Sequence, residues 1–600
     1  MTALPAASTR PGRALRALVP IATALLAACA GPQATTPPAA GPQASAAQGG
    51  SPVDVGIIAI NDFHGALEPP RAAVLAPGAD GKAIPVPAGG AAWLASAVDA
   101  IKAEHPDNVV VAAGDLTSAS QLASSLHLDE PAIGVMNRIG LEFNAVGNHE
   151  FDRGWKELQR LQNGGCEQNT RIRPCQLEQF AGAHFKYLSA STFKADGTTL
   201  FPATGLKTFG SGASRVTVGF VGLSLRSVPT LVSPDGIKGL TFGDEAEAIN
   251  RAIPLLRSEG ADAVVVLIHQ GGKTTPGDPD GCDDLTGDIR PILDRLNPGV
   301  DLVVSGHTHW QYVCRYKGAD GHDILLTSAG VYGKLVTDIT LTIDPAAHRV
   351  IASKAHNVIV QSPGYASGRG AAPNTPLYPA FEPRADVAGY VAEYVDDAKA
   401  LISRPVGKLS GPAAKPSGES ETGGALGNLI ADSQLAATRK AGAQVAFINP
   451  FGIRAPLDPA PDGTVNFGQV YAVLPFQNDL VTMTLTGAQL RAVIEDGLDD
   501  EGDKQVLAPS QGLKVRYDMR RPARSRVVSL TLDGKPVDPA AHYRVTVVSF
   551  LAEGGDGYAT FKQGTDVTRG MLDNEAFQEW IAEVPVRKVP EENRTVRVDG

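Results

Sequence analysis

Cysteine is scarce in this chain: five residues in 600, none in a Cys-x-x-Cys spacing. That argues against a zinc–thiolate site. Positive charge is also short, with 53 Lys and Arg against 64 Asp and Glu and a net charge of −11. A surface of that sign does not displace the counterions of a nucleic-acid polymer, so no such polymer is expected as a partner. A phosphate-bearing substrate would have to be held by local cations. Long apolar runs are missing too. The one candidate, Ala14 to Ala28, is broken by Arg16 and Pro20 and is too short and wrongly flanked to span a bilayer. No internal repeat is present. What remains is an ordinary globular composition, 43% hydrophobic and 20% charged, in a chain long enough for two or three packed domains.

The first residues carry Arg10, Arg13 and Arg16 ahead of that apolar run, then Leu26-Ala27-Ala28-Cys29, which reads as an export signal. Leu-Ala-Ala-Cys resembles a bacterial lipobox, which would make Cys29 the lipid-bearing first residue of the mature protein; conventional cleavage after an Ala-x-Ala site is the alternative. Ala30 after the cysteine, by analogy with Gram-negative lipoproteins, favours the outer membrane. From Gly31 to Ser51 the chain is Ala, Pro, Gly, Gln, Ser and Thr without periodicity, a flexible tether. The other cysteines, Cys166, Cys175, Cys282 and Cys314, are even in number in a chain routed to an oxidising compartment, so disulfides are expected. Three connectivities are open. Short closed loops favour Cys166–Cys175 and Cys282–Cys314.

Five short apolar runs each end in groups able to hold a metal. Val55 to Ile60 is unbroken, as a buried parallel strand should be, and leads into Asn61-Asp62-Phe63-His64-Gly65. The two-residue spacing of Asp62 and His64 turns both side chains to one side of extended backbone, where they can meet one cation. Gly89 to Leu94 opens an amphipathic helix reaching about Glu104, and Asn108 to Ala113 is a strand ending in Gly114-Asp115. Phe143 to Val146 leads to Gly147-Asn148-His149-Glu150-Phe151-Asp152. Ala263 to Ile268 ends in His269-Gln270-Gly271-Gly272, and Leu302 to Ser305 in Gly306-His307-Thr308-His309.

Polar groups at the carboxyl end of a strand lie where open α/β sheets bind ligands. Asn148 offers an amide oxygen suited to a divalent cation. His149 and Asp152 are three apart, so on a turn the carboxylate can orient the imidazole beside the metal. One Asp after a strand is more often a helix N-cap, and one His more often a hydrogen-bonded core residue. Five such strands in succession are not explained as caps.

These motifs, in this order, resemble the metallophosphatase superfamily, and specifically the bacterial periplasmic 5′-nucleotidase and UDP-sugar hydrolase family. The resemblance covers nearly everything after the tether. It implies two divalent metals, of Mn, Zn, Co or Fe: Asp62, His64 and His309 on one, Asn148, His269 and His307 on the other, Asp115 bridging. It also places the family's catalytic histidine and aspartate on His149 and Asp152.

From about Pro363 to Asp386 the chain is rich in Pro, Gly, Ala and Ser, then helical from Val387 to Ile402, a boundary followed by a connecting helix. The second half has a helix at Ala425 to Asp432 and strands at Gln444 to Ile448 and Leu480 to Leu485. Its polar signals are Asn449-Pro450-Phe451-Gly452-Ile453-Arg454, Pro475-Phe476-Gln477-Asn478 and Phe550 through Gly554-Gly555-Asp556-Gly557-Tyr558. On residues alone Phe476 and Phe550 are core candidates and the glycine run a turn. The same resemblance implies that Phe476 and Phe550 sandwich a nucleobase, and that Asn449, Gly452, Arg454 and Asp556 line the ribose and phosphate. Two departures stand out. Ser417 to Gly424, where relatives carry arginines, has none and contains Glu419 and Glu421, and Pro450-Phe451 replaces a glycine-rich pair.

The expected architecture is α/β: an N-terminal four-layer sandwich of two mixed sheets flanked by helices, plus a smaller α/β substrate-binding domain. The division is signal 1–29, tether 30–52, metallophosphatase domain 53–362, linker and helix 363–406, and C-terminal domain 407–600. The expected activity is hydrolysis of nucleoside 5′-phosphates by an exported monomer, in the periplasm or at the cell surface, lipid-anchored to the outer membrane. Alternatives are a UDP-sugar or 2′,3′-cyclic nucleotide hydrolase, or a lipid-anchored binding module with a vestigial site.

Overall fold

The strand Val53–Ile60 is covered on both faces, which is why it reads as an unbroken apolar run. Its odd-numbered side chains, Val55, Ile57 and Ala59, enter one core with Val109 and Val111 and with Val265 and Leu267. Ile58 and Ile60 enter another with Leu94, Val98 and Ile101 of the helix Ala91–Glu104. The computed structural model in which this is seen describes residues 50–319, 321–367, 370–415, 422–500 and 505–599. The export signal, Cys29, nearly all of the tether, and Glu419 and Glu421 lie outside the described residues.

Two six-stranded sheets form the N-terminal half. One runs in the order Arg349–Ile359, Leu335–Asp344, Val53–Ile60, Asn108–Ala112, Leu141–Ala145, Lys186–Leu188; the other Gln311–Lys317, Asp323–Ala329, Leu302–Ser305, Ala263–Ile268, Val216–Leu223, Thr204–Phe209. Both are mixed: the first is parallel from Val53–Ile60 to its edge strand Lys186–Leu188 and antiparallel on the other side, and the second has a parallel centre with antiparallel strands at both edges. They pack face to face, Phe143 of one stacking on Phe220 of the other with centroids 4.8 Å apart. Helices cover the outer faces: Ala91–Glu104 and Glu130–Ile139 over the first sheet, Glu245–Ser258 over the second. The layers are therefore helix, sheet, sheet, helix.

A five-stranded sheet organises the C-terminal half, in the order Ala508–Pro509, Val445–Ile448, His542–Val548, Asp479–Thr486, Thr565–Leu572. The helices Gly424–Thr438 and Gly487–Asp496 share its core. The first of these runs past the expected Asp432, because nothing interrupts it until Gly442 takes a left-handed φ of 83°. Among the described residues no helix is long and apolar enough to cross a membrane.

The connecting helix Ala385–Ile402 is part of the first core, not a free spacer: Val387, Tyr390, Val391, Tyr394 and Ala398 are buried there. Tyr390 and Tyr394 both donate to Glu178 Oε1, at 3.1 and 2.9 Å. Close approach requires glycine opposite, since a Cβ on Gly134 would stand 2.0 Å from Tyr390 Oη. Disulfides join Cys166 to Cys175 and Cys282 to Cys314, with Cα separations of 5.6 and 5.3 Å. The second ties the loop beyond His269 to the strand just after His309.

Two outcomes follow for denaturant unfolding. Gly134→Ala overpacks the seat of the connecting helix and should cost about 1–3 kcal/mol; an unchanged midpoint would mean that Tyr390 does not press there. Replacing Cys282 and Cys314 together by serine should cost about 2–4 kcal/mol, as expected for opening a loop of this length.

Candidate active site

Parallel strands put their carboxyl ends on one edge, and the two sheets meet along it. Asp62 and His64 follow Val53–Ile60, Asp115 follows Asn108–Ala112 and Asn148 follows Leu141–Ala145; from the other sheet come His269, His307 and His309. The ligand atoms of Asp62, His64 and His309 lie within 4.8 Å of one another, as do those of Asp115, His269 and His307. Each group draws on both sheets. Asp115 reaches both, its Oδ2 being 2.9 Å from His269 Nε2 and 3.8 Å from His64 Nε2.

The turns that aim these side chains are strained. Asp62, His64, Asp115, His307 and His309 have φ of 50°, 48°, 53°, 71° and 63°, a left-handed backbone costing about 1–3 kcal/mol per non-glycine residue. The chain must fold back sharply at the strand end for its side chains to cross the edge. Backbone bonds hold it there: Asp62 N–H to Gly114 O and His64 N–H to Asp115 O, both 3.0 Å, and His307 N–H to Asp62 Oδ2, 3.0 Å. Gly147 admits no side chain, because a Cβ would stand 2.1 Å from Asp115 Oδ1.

The donor set fits divalent cations. His64 Nδ1–H donates to Ser118 O at 2.9 Å and His269 Nδ1–H to Ala113 O at 2.7 Å. A carbonyl only accepts, so each Nε2 turns a lone pair into the cluster. His64 Nε2 and His309 Nε2 face each other at 3.3 Å. Among the described residues Asn148 Oδ1 and His269 Nε2 are buried without a hydrogen-bond partner. For His269 the distance to Asp115 suits a hydrogen bond but the direction does not, the pattern of two acceptors aimed at a common point. Burial pushes the Asp62 carboxyl up to about 7 and pulls His64 and His307 down to about 3. It pulls on His269 as well, but the Asp115 charge prevails and carries that imidazole to about 10. Divalent charge at this point would keep the carboxylates ionised and the imidazoles neutral.

His149 and Asp152 lie on the 3₁₀ turn His149–Phe151 and its end, with His149 Nδ1–H donating to Asp152 Oδ2 at 2.8 Å. Burial opposes protonation of His149, yet Asp152 and then Asp115 raise its pKa on balance. Its ring stands edge-on to His64, centroids 5.1 Å apart.

From the other half of the chain, Asn449, Gly452 and Arg454 lie at and beside the turn Pro450–Gly452 that follows the strand Val445–Ile448. Asn449 Nδ2 donates to Asp556 Oδ2 at 2.6 Å. Gly452 leaves room for that asparagine, since a Cβ would meet its Oδ1 at 2.6 Å. Among the described residues Asn449 Oδ1 and Arg454 Nη2 are buried without partners, and the Arg454 charge disfavours protonation of His64, His149, His307 and His309. Phe476 lies with one face on His149, centroids 5.7 Å apart and planes 12° apart, and Arg454 is 5.8 Å from its ring centre. Phe550 is half-buried and packs on Gly555, where a Cβ would touch its ring at 2.4 Å. Ser549 beside it donates to Asn478 Oδ1 at 3.1 Å, joining the two aromatic loops.

Several positioning groups escaped the sequence reading. Glu150 accepts from the backbone N–H of Asp115, Leu116 and Gly147 at 2.9, 2.7 and 2.7 Å. Asking which acceptor satisfies those buried turn donors would have pointed to it, since it lies inside the hexapeptide. The contact of Ser125 Oγ with Tyr471 OH at 2.5 Å, joined by Arg153 Nη2 at 2.8 Å from Ser125 Oγ, had no sequence signal.

Residues 56–311 match the calcineurin-like phosphoesterase family and residues 405–563 the 5′-nucleotidase C-terminal domain. Cell wall protein Lmo0130 of Listeria monocytogenes is 30% identical over 579 residues, 91% of this chain and 69% of that protein. Endonuclease YhcR of Bacillus subtilis is 27% identical over 504 residues, 83% of this chain but 37% of that longer protein. Among solved structures, the 5′-nucleotidase precursor from Thermus thermophilus matches with a TM-score of 0.73 and 26% identity, over 91% of this chain and 100% of that one. The chain belongs to the 5′-nucleotidase family of calcineurin-like phosphoesterases and is a metal-dependent phosphoester hydrolase.

Proposed function

We propose that this protein hydrolyses nucleoside 5′-phosphates to nucleoside and phosphate outside the cytoplasm, with residues 53–362 carrying the chemistry and 407–600 the substrate specificity. The observation that carries the reading is the gathering of Arg454, Phe476 and the Asn449–Asp556 pair against His149 and the two ligand groups. Divalent ions held by Asp62, His64 and His309, and by Asn148, His269 and His307 with Asp115 shared, would supply Lewis-acid polarisation of the phosphoryl group and acidify the attacking water. His149, oriented by Asp152, donates to the phosphoryl oxygen on which charge accumulates. Arg454 offers to the same group its Nη2, which has no partner among the described residues. Phe476 and Phe550 supply aromatic faces for a base, a sequence-tolerant contact, and Asn449 with Asp556 presents amide and carboxylate to ribose hydroxyls.

Cleavage of a polymer, which the name of YhcR states of that protein, is disfavoured here by the net charge of −11. Export is supported by the signal-like first residues, by the two disulfides and by the name of Lmo0130, a cell wall protein. We place the protein in the periplasm or on the cell surface, anchored at the outer membrane through a lipid on Cys29.

The primary test is a metal-dependent assay of the purified protein against mono-, di- and cyclic nucleotides and UDP-sugars; no release of phosphate from any nucleoside monophosphate overturns the reading. Asp115→Asn should lose more metal than His64→Ala or His309→Ala, measured by elemental analysis after gel filtration, and full two-metal occupancy in Asp115→Asn would remove its bridging role. Phe550→Ala should raise KM for a nucleoside monophosphate by roughly one to two powers of ten. The kcat/KM for p-nitrophenyl phosphate, which presents no nucleobase, should scarcely change, whereas Arg454→Ala should impair both substrates. Unaltered nucleotide kinetics in Phe550→Ala would make that ring a core residue only.

A further inference from the structure

Arg454 has a second cation beside it. Lys415 Nζ donates to Ile453 O at 2.8 Å, the carbonyl of the peptide unit that supplies the Arg454 nitrogen. Backbone pairing sets this placement: Ala413 and Leu457 exchange both of their hydrogen bonds, at 2.9 and 3.0 Å, and Leu426 N–H reaches Ala414 O. Lys415 is half-buried. Among the described residues neither cation is in a salt bridge, and Arg454 Nη2 has no hydrogen-bond partner. The carboxylate that does feel Arg454, Asp556, is committed to Asn449.

Two like charges held side by side away from water repel each other, and the repulsion is relieved when an anion joins them. Burial and then the Arg454 charge pull the Lys415 ammonium down to about 8, so the pair is kept at a cost. One bond to Ile453 O uses a single N–H of the three an ammonium carries. Among the described residues, two donors are left for another acceptor. Arg454 stands 5.8 Å from the centre of the Phe476 ring, and that ring lies on His149 beside the ligand groups, so an anion held by Arg454 lies in front of that centre.

We propose that Lys415 is the second cation of the phosphoryl grip, anchored on the Ile453 carbonyl and sharing the non-bridging oxygens of the substrate phosphate with Arg454. The proposal rests on the phosphoester reading of the cleft and deepens it. It also answers the sequence departure: Ser417 to Gly424 has no arginine, and Lys415 stands two residues before it.

Lys415→Gln keeps a donor for Ile453 O and removes the charge, so it is the primary variant; Lys415→Met is the second should the first not fold. Measured on metal-loaded full-length protein, either should weaken binding of inorganic phosphate by calorimetry roughly tenfold, the loss expected for a charge-assisted hydrogen bond. KM should rise to a similar degree for a nucleoside monophosphate and for p-nitrophenyl phosphate, and Lys415→Arg should restore all three. A prop that only holds Arg454 in place would give no further loss when Lys415→Gln is added to Arg454→Ala. We expect a further loss, and its absence overturns the proposal, as does wild-type phosphate affinity in Lys415→Gln. Should nucleotides prove not to be substrates, the phosphate and p-nitrophenyl phosphate arms still decide the role of Lys415.

Discussion

The concentration of lone pairs at the meeting edge of the two sheets is the constraint on which the rest of this structure depends. Asp62, Asp115 and His269 are buried, and close-packed carboxylates and imidazoles of this kind are costly unless cationic charge completes them. Asp115 is the pivot, lying within reach of imidazoles from both groups. The sandwich brings the six carboxylate and imidazole residues of the two groups together with five of them in left-handed backbone. That strain is carried by the well-packed strands behind them, whose side chains are buried on both faces.

Around that centre, rigidity comes from side chains that bind backbone. Glu150 closes the turn at Asp115 onto the loop at Gly147. Asn61 joins Asp62 to Gly330 O and accepts from Ala329 N–H, at 2.6 and 2.7 Å, and Asn144 accepts from Gly114 N–H at 2.9 Å. Each such residue satisfies donors that the parallel strands leave free where they end. None of them needs to touch a substrate for the site to depend on it.

The C-terminal half is held against this edge by a polar seam as well as by apolar contact. Tyr471 meets Ser125, which Arg153 also holds, and Arg153 in turn pairs with the buried Asp129, whose carboxylate accepts from Ser118 N–H at 2.9 Å. Ser118 supplies the carbonyl that sets the His64 tautomer. A hydrogen-bonded path therefore runs from the C-terminal half to a metal-capable imidazole. Phe476 lying on His149 brings the two halves into contact at the His149–Asp152 pair, so a change in domain spacing alters the surroundings of that imidazole directly.

Strands buried on both faces were legible from residues alone: Ala263–Ile268 and Leu302–Ser305 stand where the apolar runs stand, because full burial leaves no polar position to blur the ends. The ordered series of Asp, Asn and His after such runs likewise marked the edge where they converge, since a strand's direction determines which end its next residues occupy. The pairing of the sheets, the left-handed turns and the donors bound by Glu150 depend on contacts between segments far apart in sequence, and no local pattern encodes them. The same is true of Phe476, a ring with no obvious partner in its own segment that finds His149 across the cleft. It is equally true of Lys415, an ordinary lysine in a Pro- and Ala-rich stretch, whose place beside Arg454 is decided by the backbone pairing of Ala413 with Leu457.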